Sequence, residues 1–379
     1  APIVINKPNV ALIGADQRAS VINSTHTGIC IDLGPLATEF EIHDLTVIGL
    51  SRDASTTTRS VRIQQGASGI LQDLTIKGFK IAILNNGGSE ACVVKNVDYL
   101  TAPGVTCGSF LVSERLNVSS TAVAISVSDC TFDGCKDDAV VIKHSRPSTL
   151  IKNCTFKNGA AATRGCVIGD AAAWCDGVLV ERCSFTGSAA MTNEIQLLPS
   201  AAQTFTQITV RDCSVAVSSV ATHVLADCAN IDGRVAVLDS LFGACTAQAL
   251  ITSNMVRPRI QGCRFSGSAL SAINGATVAG ATISNNAITI ATGSACIEFS
   301  ALTDSSITSN RCICTAGGTG IVYTGGSNRN TVSNNTISVT SGTGLFTTSS
   351  ANVISGNAIE TTTASCINMT GTASNISGN

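Results

Sequence analysis

Two adjacent carboxylates, Asp137 and Asp138, lead straight into an apolar run, Ala139-Val-Val-Ile142, that ends in Lys143 and His144. Like charges this close can hold one proton between them, because each pushes the other's pKa upward. Cleavage of a glycosidic bond needs such a division of labour: one carboxyl protonates the leaving oxygen, and another activates water or attacks the sugar. His144 is a candidate base beside Asp138, and Glu194 is a further candidate acid. A structural role stands beside the catalytic one, since Asp in a tight turn caps backbone amides.

These groups would sit on strands of period-two patterning. Gly28–Leu33, Ser60–Gln64, Ala139–Lys143 and Gly165–Ile168 alternate so that every second side chain faces out. Asp32, Arg62, Gln64, Lys143, Glu194, Gln196, His223 and Asp227 are the polar residues expected on that outer face, with Asp170 just beyond the strand at Ile168. Repeated at ~4.8 Å per strand, they would line a shallow polar groove suited to an extended saccharide. Arg62, Gln64, Lys143, Asp170, Gln196, His223 and Asp227 are the substrate-binding candidates.

The elements that must position them announce themselves as a repeat. An aliphatic residue, two mostly polar ones, a residue drawn from Leu or Val, then Cys, then Asn, any residue, and an apolar one recur along the chain. Examples are Ile42–Val47, Ile151–Phe156 and Val332–Ile337. The fourth position falls at Leu45, Leu74, Val97, Leu116, Cys130, Cys154, Cys183, Cys213, Ser240, Cys263, Asn286, Asn310, Asn335, Asn357 and Asn379. Such a period is the mark of a solenoid. About 14 to 15 coils of strand are expected. The span from Val97 to Cys130 is too short for two coils, so one long coil there, with Leu116 on another face, is the alternative.

Seventeen cysteines invite a disulfide or metal reading. Five of them share the repeat position with Asn286, Asn310, Asn335, Asn357 and Asn379, so that slot takes a small side chain stacking on its neighbour. Free Cys packs as a small hydrophobe, and parallel Cβ directions make bridges between adjacent strands awkward. Packing thiols assembled in a reducing compartment are therefore expected. No C-x-x-C pair occurs and the four histidines are scattered, so neither a metal site nor a cofactor is expected. Asn in the same slot offers both donor and acceptor, and a stack of them can satisfy successive turns.

On this ladder the chain resembles the right-handed parallel β-helix proteins of the pectin-lyase-like superfamily. The resemblance implies an all-β, single-stranded right-handed parallel β-helix over essentially all 379 residues. The phrase Asp137-Asp138 before its strand is similar to the polygalacturonase family, which would make the pair general acid and base. The rest of that family's pattern departs here. Glu114 is the nearest acid one coil upstream, Thr163–Asp170 stands where a Gly-His-Gly would be, and Glu194-Ile-Gln196 replaces an Arg-Ile-Lys phrase.

Aromatic residues make up only 4% of the chain, so small and β-branched side chains must build the core. A net charge of −2 gives no case for nucleic acid or an anionic membrane. No apolar run is long enough to span a bilayer. Of 25 acidic residues only Glu298, Asp304 and Glu360 lie beyond residue 240. One continuous β-helix is expected, with a charged part at 1–240 able to do chemistry and a neutral, stalk-like part at 241–379. Neither end reads as a cap, so a portion of a longer protein is expected.

Three functional classes follow. The first is the body of a phage or viral tail spike, or a similar surface fibre, that recognises a cell-surface polysaccharide and in some forms depolymerises it. The resemblance implies a homotrimer there, joined to other virion or fibre proteins at a virion tail or extracellular surface. The second is a soluble polysaccharide hydrolase or lyase centred on Asp137 and Asp138. The third is a structural fibre without ligand.

Overall fold

The computed structural model describes residues 1–50, 57–86, 92–101, 107–114, 124–143, 149–157, 164–169, 175, 177–186, 193–198, 207–216, 222–231, 234–291, 294–371 and 374–379. The fold is the expected one, an all-β right-handed parallel β-helix, with no helix among the described residues. None is therefore long and apolar enough to cross a membrane. The chain forms two compact units, Ala1–Ile195 and Gln196–Asn379, and the charge boundary at residue 240 lies inside the second.

In each unit every coil contributes a strand to one parallel sheet and one bent or broken strand to another. The first sheet of the first unit stacks seven strands in chain order, from Ile3–Ile5 through Ile81–Asn86, Ser109–Glu114 and Val140–Ile142 to Arg164–Ile168. The second unit stacks seven more, from Thr222–Ile231 to Ile367–Met369, and Asn193–Leu197 contains the boundary. The described strands thus agree with 14 to 15 coils. Leu116 lies outside the described residues, but strand Cys92–Leu100 pairs directly with Ile125–Ser128 and with Thr131–Asp133. One long coil therefore runs from Val97 to Cys130.

The repeated phrase is a bend. Residues immediately before the ladder position, among them Asp44, Asp73, Asn96, Asp129, Asn153, Asp212, Asp239, Asn285 and Asn334, have φ between 47° and 58°. That left-handed conformation is costly for most L-residues but tolerated by Asp and Asn, whose short side chains bond locally. Gly262, Gly356 and Gly378 fill the same slot at φ 60° to 68°. In Phe40–Ile48 the strand bends there without interruption, whereas in later coils it divides into two short strands.

Behind the bend the described ladder side chains from Leu45 to Asn357 are buried. Asn310 Nδ2 donates to Ile283 O at 2.9 Å and to Asn335 Oδ1 at 3.0 Å. Its Oδ1 accepts from Asn286 N at 3.1 Å and Asn286 Nδ2 at 2.9 Å. Both donors and both acceptor sites of the amide are thereby used. The thiol version is simpler: Cys263 Sγ donates to Val237 O at 3.4 Å, the carbonyl equivalent to the one Asn286 reaches at Ile260. All cysteines described at side-chain level are free thiols, and all but Cys366 are buried, as the packing reading expected. Burial pushes the Cys92 and Cys263 thiols up to about 12, so both remain protonated donors.

A second ladder escaped the sequence reading. Ser305, Asn330, Asn352 and Ser374 each stand five residues before a ladder asparagine. Ser305 N donates to Asn330 Oδ1, and Asn330 N to Asn352 Oδ1, both at 3.1 Å. Inside the first unit the largely aliphatic core contains an aromatic file, Tyr99, Phe110, Phe132, Phe156 and Phe185, with successive centroids 5.8, 4.4, 4.7 and 4.5 Å apart. Each such pair adds roughly 0.5–1.5 kcal/mol beyond the area it buries.

Replacing Asn310 by Leu strands two backbone groups and two neighbouring amides, and a loss of about 2–5 kcal/mol is expected in urea unfolding. Cys263→Asn should stay within about 1 kcal/mol of wild type, because the amide meets the same carbonyl. Equal losses from both substitutions would contradict the ladder account.

Candidate functional site

Asp137 and Asp138 occupy the turn that enters strand Val140–Ile142, and their side chains diverge. Asp137 Oδ2 accepts Lys80 Nζ at 2.5 Å. Lys80 precedes strand Ile81–Asn86, two coils back, so the pair bridges over Gly108. A Cβ at Gly108 would stand 2.1 Å from Lys80 O and 2.9 Å from Asp137 Oδ2. Glycine is required for the bridge to close. Asp138 turns to the following coil, where Arg164 binds it in a fork: Nε to Oδ1 at 2.8 Å and Nη2 to Oδ2 at 2.5 Å. The backbone N of Arg164 adds a contact to Oδ1 at 3.2 Å. Each carboxylate engages a cation on the opposite side from its neighbour's, rather than the other carboxylate.

Lys143 Nζ lies 2.8 Å from Glu114 Oε2. Lys143 follows Asp138 by five residues along an extended strand, on the order of 16 Å. The outer file between them is apolar: Leu84, Val112, Val141 and Val167 stand in register, and three of the four are buried. At these coils the expected polar groove is replaced by an apolar row that separates the acid pair from Lys143.

Asp32, Arg62 and Gln64 do come together. Arg62 Nε and Nη2 donate to the two carboxylate oxygens at 2.9 and 2.5 Å, and Gln64 Nε2 donates to Oδ1 at 2.9 Å. Burial alone would raise the Asp32 pKa, but the hydrogen bonds from Arg62 and Gln64 and the charge of Arg62 outweigh it. The carboxyl is held below its ordinary 3.8.

Glu194 and His223 correct the outward-facing expectation: both are fully buried. In each strand the first three residues, Asn193–Ile195 and Thr222–Val224, are buried in succession, so both faces of the strand are covered before alternation begins. His223 Nε2 donates to Gly243 O at 2.9 Å, with its ring 6.0 Å from that of Phe242. Gln196 does face outward, half-buried. His144 and Asp170 lie outside the described residues. Asp227 is placed on its strand opposite Ser253, with its side chain outside the description. Among the described residues no three His, Cys, Asp or Glu side chains could hold a metal ion.

The second unit carries a site that the sequence reading missed. On the outer face of its bent sheet, Thr209, Ala236, Arg259, Thr282, Ser306 and Thr331 form one row, in register from coil to coil. Arg211, Leu238, Gln261, Ser284, Thr308 and Ser333 form the row beside it. The small Ala236 leaves a depression of about 560 Å³ across these rows, whose lining includes Arg211, Arg257 and Arg259 and, among the described residues, no acid. A signal was present in the sequence: these residues stand two and four places before the ladder position, where the buried aliphatic between them forces both outward.

A family profile described as a right-handed beta helix region matches residues 244–379. No curated protein sequence matches the chain. Among solved structures the chain is similar to PfbA, a surface adhesin of Streptococcus pneumoniae, at 12% identity and a TM-score of 0.45, covering 82% of this chain and 83% of that one. It is similar to tailspike protein 3 of bacteriophage CBA120 at 12% identity and a TM-score of 0.48, covering 93% of this chain and 55% of that one. The A-module of mannuronan C-5 epimerase AlgE6 from Azotobacter vinelandii matches at 11% identity and a TM-score of 0.41, covering 95% and 89%.

The Asp32 cluster gives a pH signature. A lowered folded pKa contributes stability that is complete above the unfolded value and is lost as pH falls through the folded one. The melting-temperature advantage of wild type over Asp32→Asn should hold at neutral pH and shrink below pH 3.8. An advantage that grows in acid would refute this assignment.

Proposed function

We propose that the chain is the β-helical body of a tail spike or similar surface fibre that recognises a polysaccharide, with recognition rather than cleavage as its main task. The observation that carries this reading is the pair of outward rows in the second unit. There Thr, Ser, Gln and Arg side chains recur once per coil around the open depression over Ala236. A polysaccharide presents hydroxyls at repeated intervals, and a face with donors and acceptors at repeated intervals engages it at several points at once.

The acid pair is the natural centre of the competing hydrolase or lyase reading. Its geometry favours a structural part: Lys80 and Arg164 fasten Asp137 and Asp138 to coils on either side. Partly exposed pairs of this kind add about 0–1 kcal/mol each. The fibre reading carries with it a homotrimer, attachment to other virion or fibre proteins, and a virion-tail or extracellular location.

A panel of capsular and cell-wall polysaccharides tests this. The wild-type chain should bind at least one of them without shortening it, as read by size-exclusion chromatography of the polymer. Asp138→Asn should bind equally well and lose about 1 kcal/mol of stability. Cleavage by wild type that disappears in Asp138→Asn would return the pair to catalysis, and sedimentation as a monomer would remove the trimer.

A further inference from the structure

We infer that Cys296 and Cys314 are a modification site, a thiol pair that a peroxide converts to a disulfide, joining two consecutive coils of the second unit covalently. The two sulfurs already touch, Sγ to Sγ at 3.4 Å, although 18 residues separate them along the chain. Cys314 ends strand Arg311–Cys314 of the bent sheet, and Cys296 lies in strand Ala295–Phe299 of the other sheet, one coil earlier. Residues on different sheets escape the parallel Cβ directions that hinder bridges within one ladder.

Stacking explains why the pair meets. Cys314 is in register with Ile290 on one side and Val339 on the other. Ala295 and Ile297 pair with Thr319 and Ile321, which puts Gly320 beside Cys296. A Cβ at Gly320 would lie 2.3 Å from Ile337 Cγ2, so packing from the bent sheet reserves that position for glycine. With no side chain over it in its own row, the Cys296 thiol reaches across the corner to Cys314 of the next coil.

The hydrogen bond with Cys296 outweighs burial and holds the Cys314 thiol below its ordinary 9.0. Hydrogen bonds with the Cys312 and Cys314 thiols, together with burial, push the Cys296 thiol up. Cys314 is therefore the attacking sulfur, whereas a ladder thiol such as Cys263, pushed up to about 12 by burial, stays protonated. The Cys314 thiolate attacks one oxygen of hydrogen peroxide, the O–O bond breaks, and hydroxide leaves as water with the proton that Cys314 gave up. Cys296 Sγ then attacks the sulfenic sulfur, the S–O bond breaks, and a second water leaves with the Cys296 proton. Two electrons pass from the pair to the peroxide. Both thiols are buried, but Thr315 and Ala316 after Cys314 and Ser294 before Cys296 are exposed. Local opening of that corner, which admits a molecule little larger than water, requires far less than unfolding the stack.

Peroxide treatment of the whole chain, purified fully reduced, tests the inference. Two of the 17 thiols should disappear from a titration under denaturing conditions. Peptide mapping should place the bridge between Cys296 and Cys314, and a thiol reductant should restore both. Because the bridge closes a short loop between coils, the melting temperature should rise by roughly 5–10 °C. Cys296→Ala and Cys314→Val copy Ala272 and Val339, which stand beside them in register. Each variant should melt near the reduced wild type and show no rise after peroxide. The wild-type map decides the site even where a variant fails to fold. Retention of all thiols, sulfinic acids without a bridge, a bridge from Cys296 to Cys312, or a rise that survives in either variant would overturn the inference. A Cys296–Cys314 bridge that leaves the melting temperature unchanged would overturn its part in tying the coils.

Discussion

Every coil of this fold has to turn a corner and still leave no buried amide or carbonyl without a partner. The solution is a single left-handed residue followed by a side chain that points into the stack. The first sets the angle between two strand segments, and the second reaches the backbone of the neighbouring coil. With Leu or Val in the second place the turn is only packed, with Cys it gains one weak donor, and with Asn it is bonded in both directions. The asparagine coils therefore need less from their other residues. Glu298, Asp304 and Glu360 are the only acids beyond residue 240, so that part of the chain stacks with very few charges.

The charged coils hold together by different means. Asp32 with Arg62, Lys80 with Asp137, Glu114 with Lys143, Asp138 with Arg164 and Lys152 with Glu181 all join different coils of the first unit. Such pairs add little energy individually. They do specify which coil lies against which, a choice that an apolar core of Val and Ile leaves open. Asp32 and Asp138 are each held this way by a fork of donors from one arginine.

The fold was legible because its repeat is written at a buried position, where the side chain's size and polarity are dictated by the neighbour above and below. The left-handed residue shows in the sequence only as a mostly polar slot before the ladder member, usually Asp, Asn or Gly but also Arg182 and Ser309, and only the structure gives that slot its meaning. The site was read less well for a physical reason. Asp137 and Asp138 are adjacent as letters, but the partners they bond, Lys80 and Arg164, are 57 and 26 residues away. Glu194 and His223 were assigned outward by alternation, which fails where the first three residues of a strand are buried on both faces. Arg211, Arg257 and Arg259 were passed over because they are scattered along the chain; counted from the ladder position, Arg211 and Arg259 fall into neighbouring rows.

That last point bears on how such a chain acquires function. Within the phrase, the aliphatic residue three before the ladder position, the left-handed residue, the ladder residue and the apolar residue two beyond it are all constrained by stacking. The residues two and four before the ladder position are less so: most face water, and they meet one another and their counterparts on adjacent coils. Substitution there changes the surface without disturbing the stack, as the series Thr209, Ala236, Arg259, Thr282 illustrates within one row. A groove arises wherever a small residue falls in such a row between two large ones, and its charge is set by the same few positions. The fold therefore leaves its binding chemistry to residues that the folding pattern does not constrain, which is why the strongest signal in this sequence says least about the ligand.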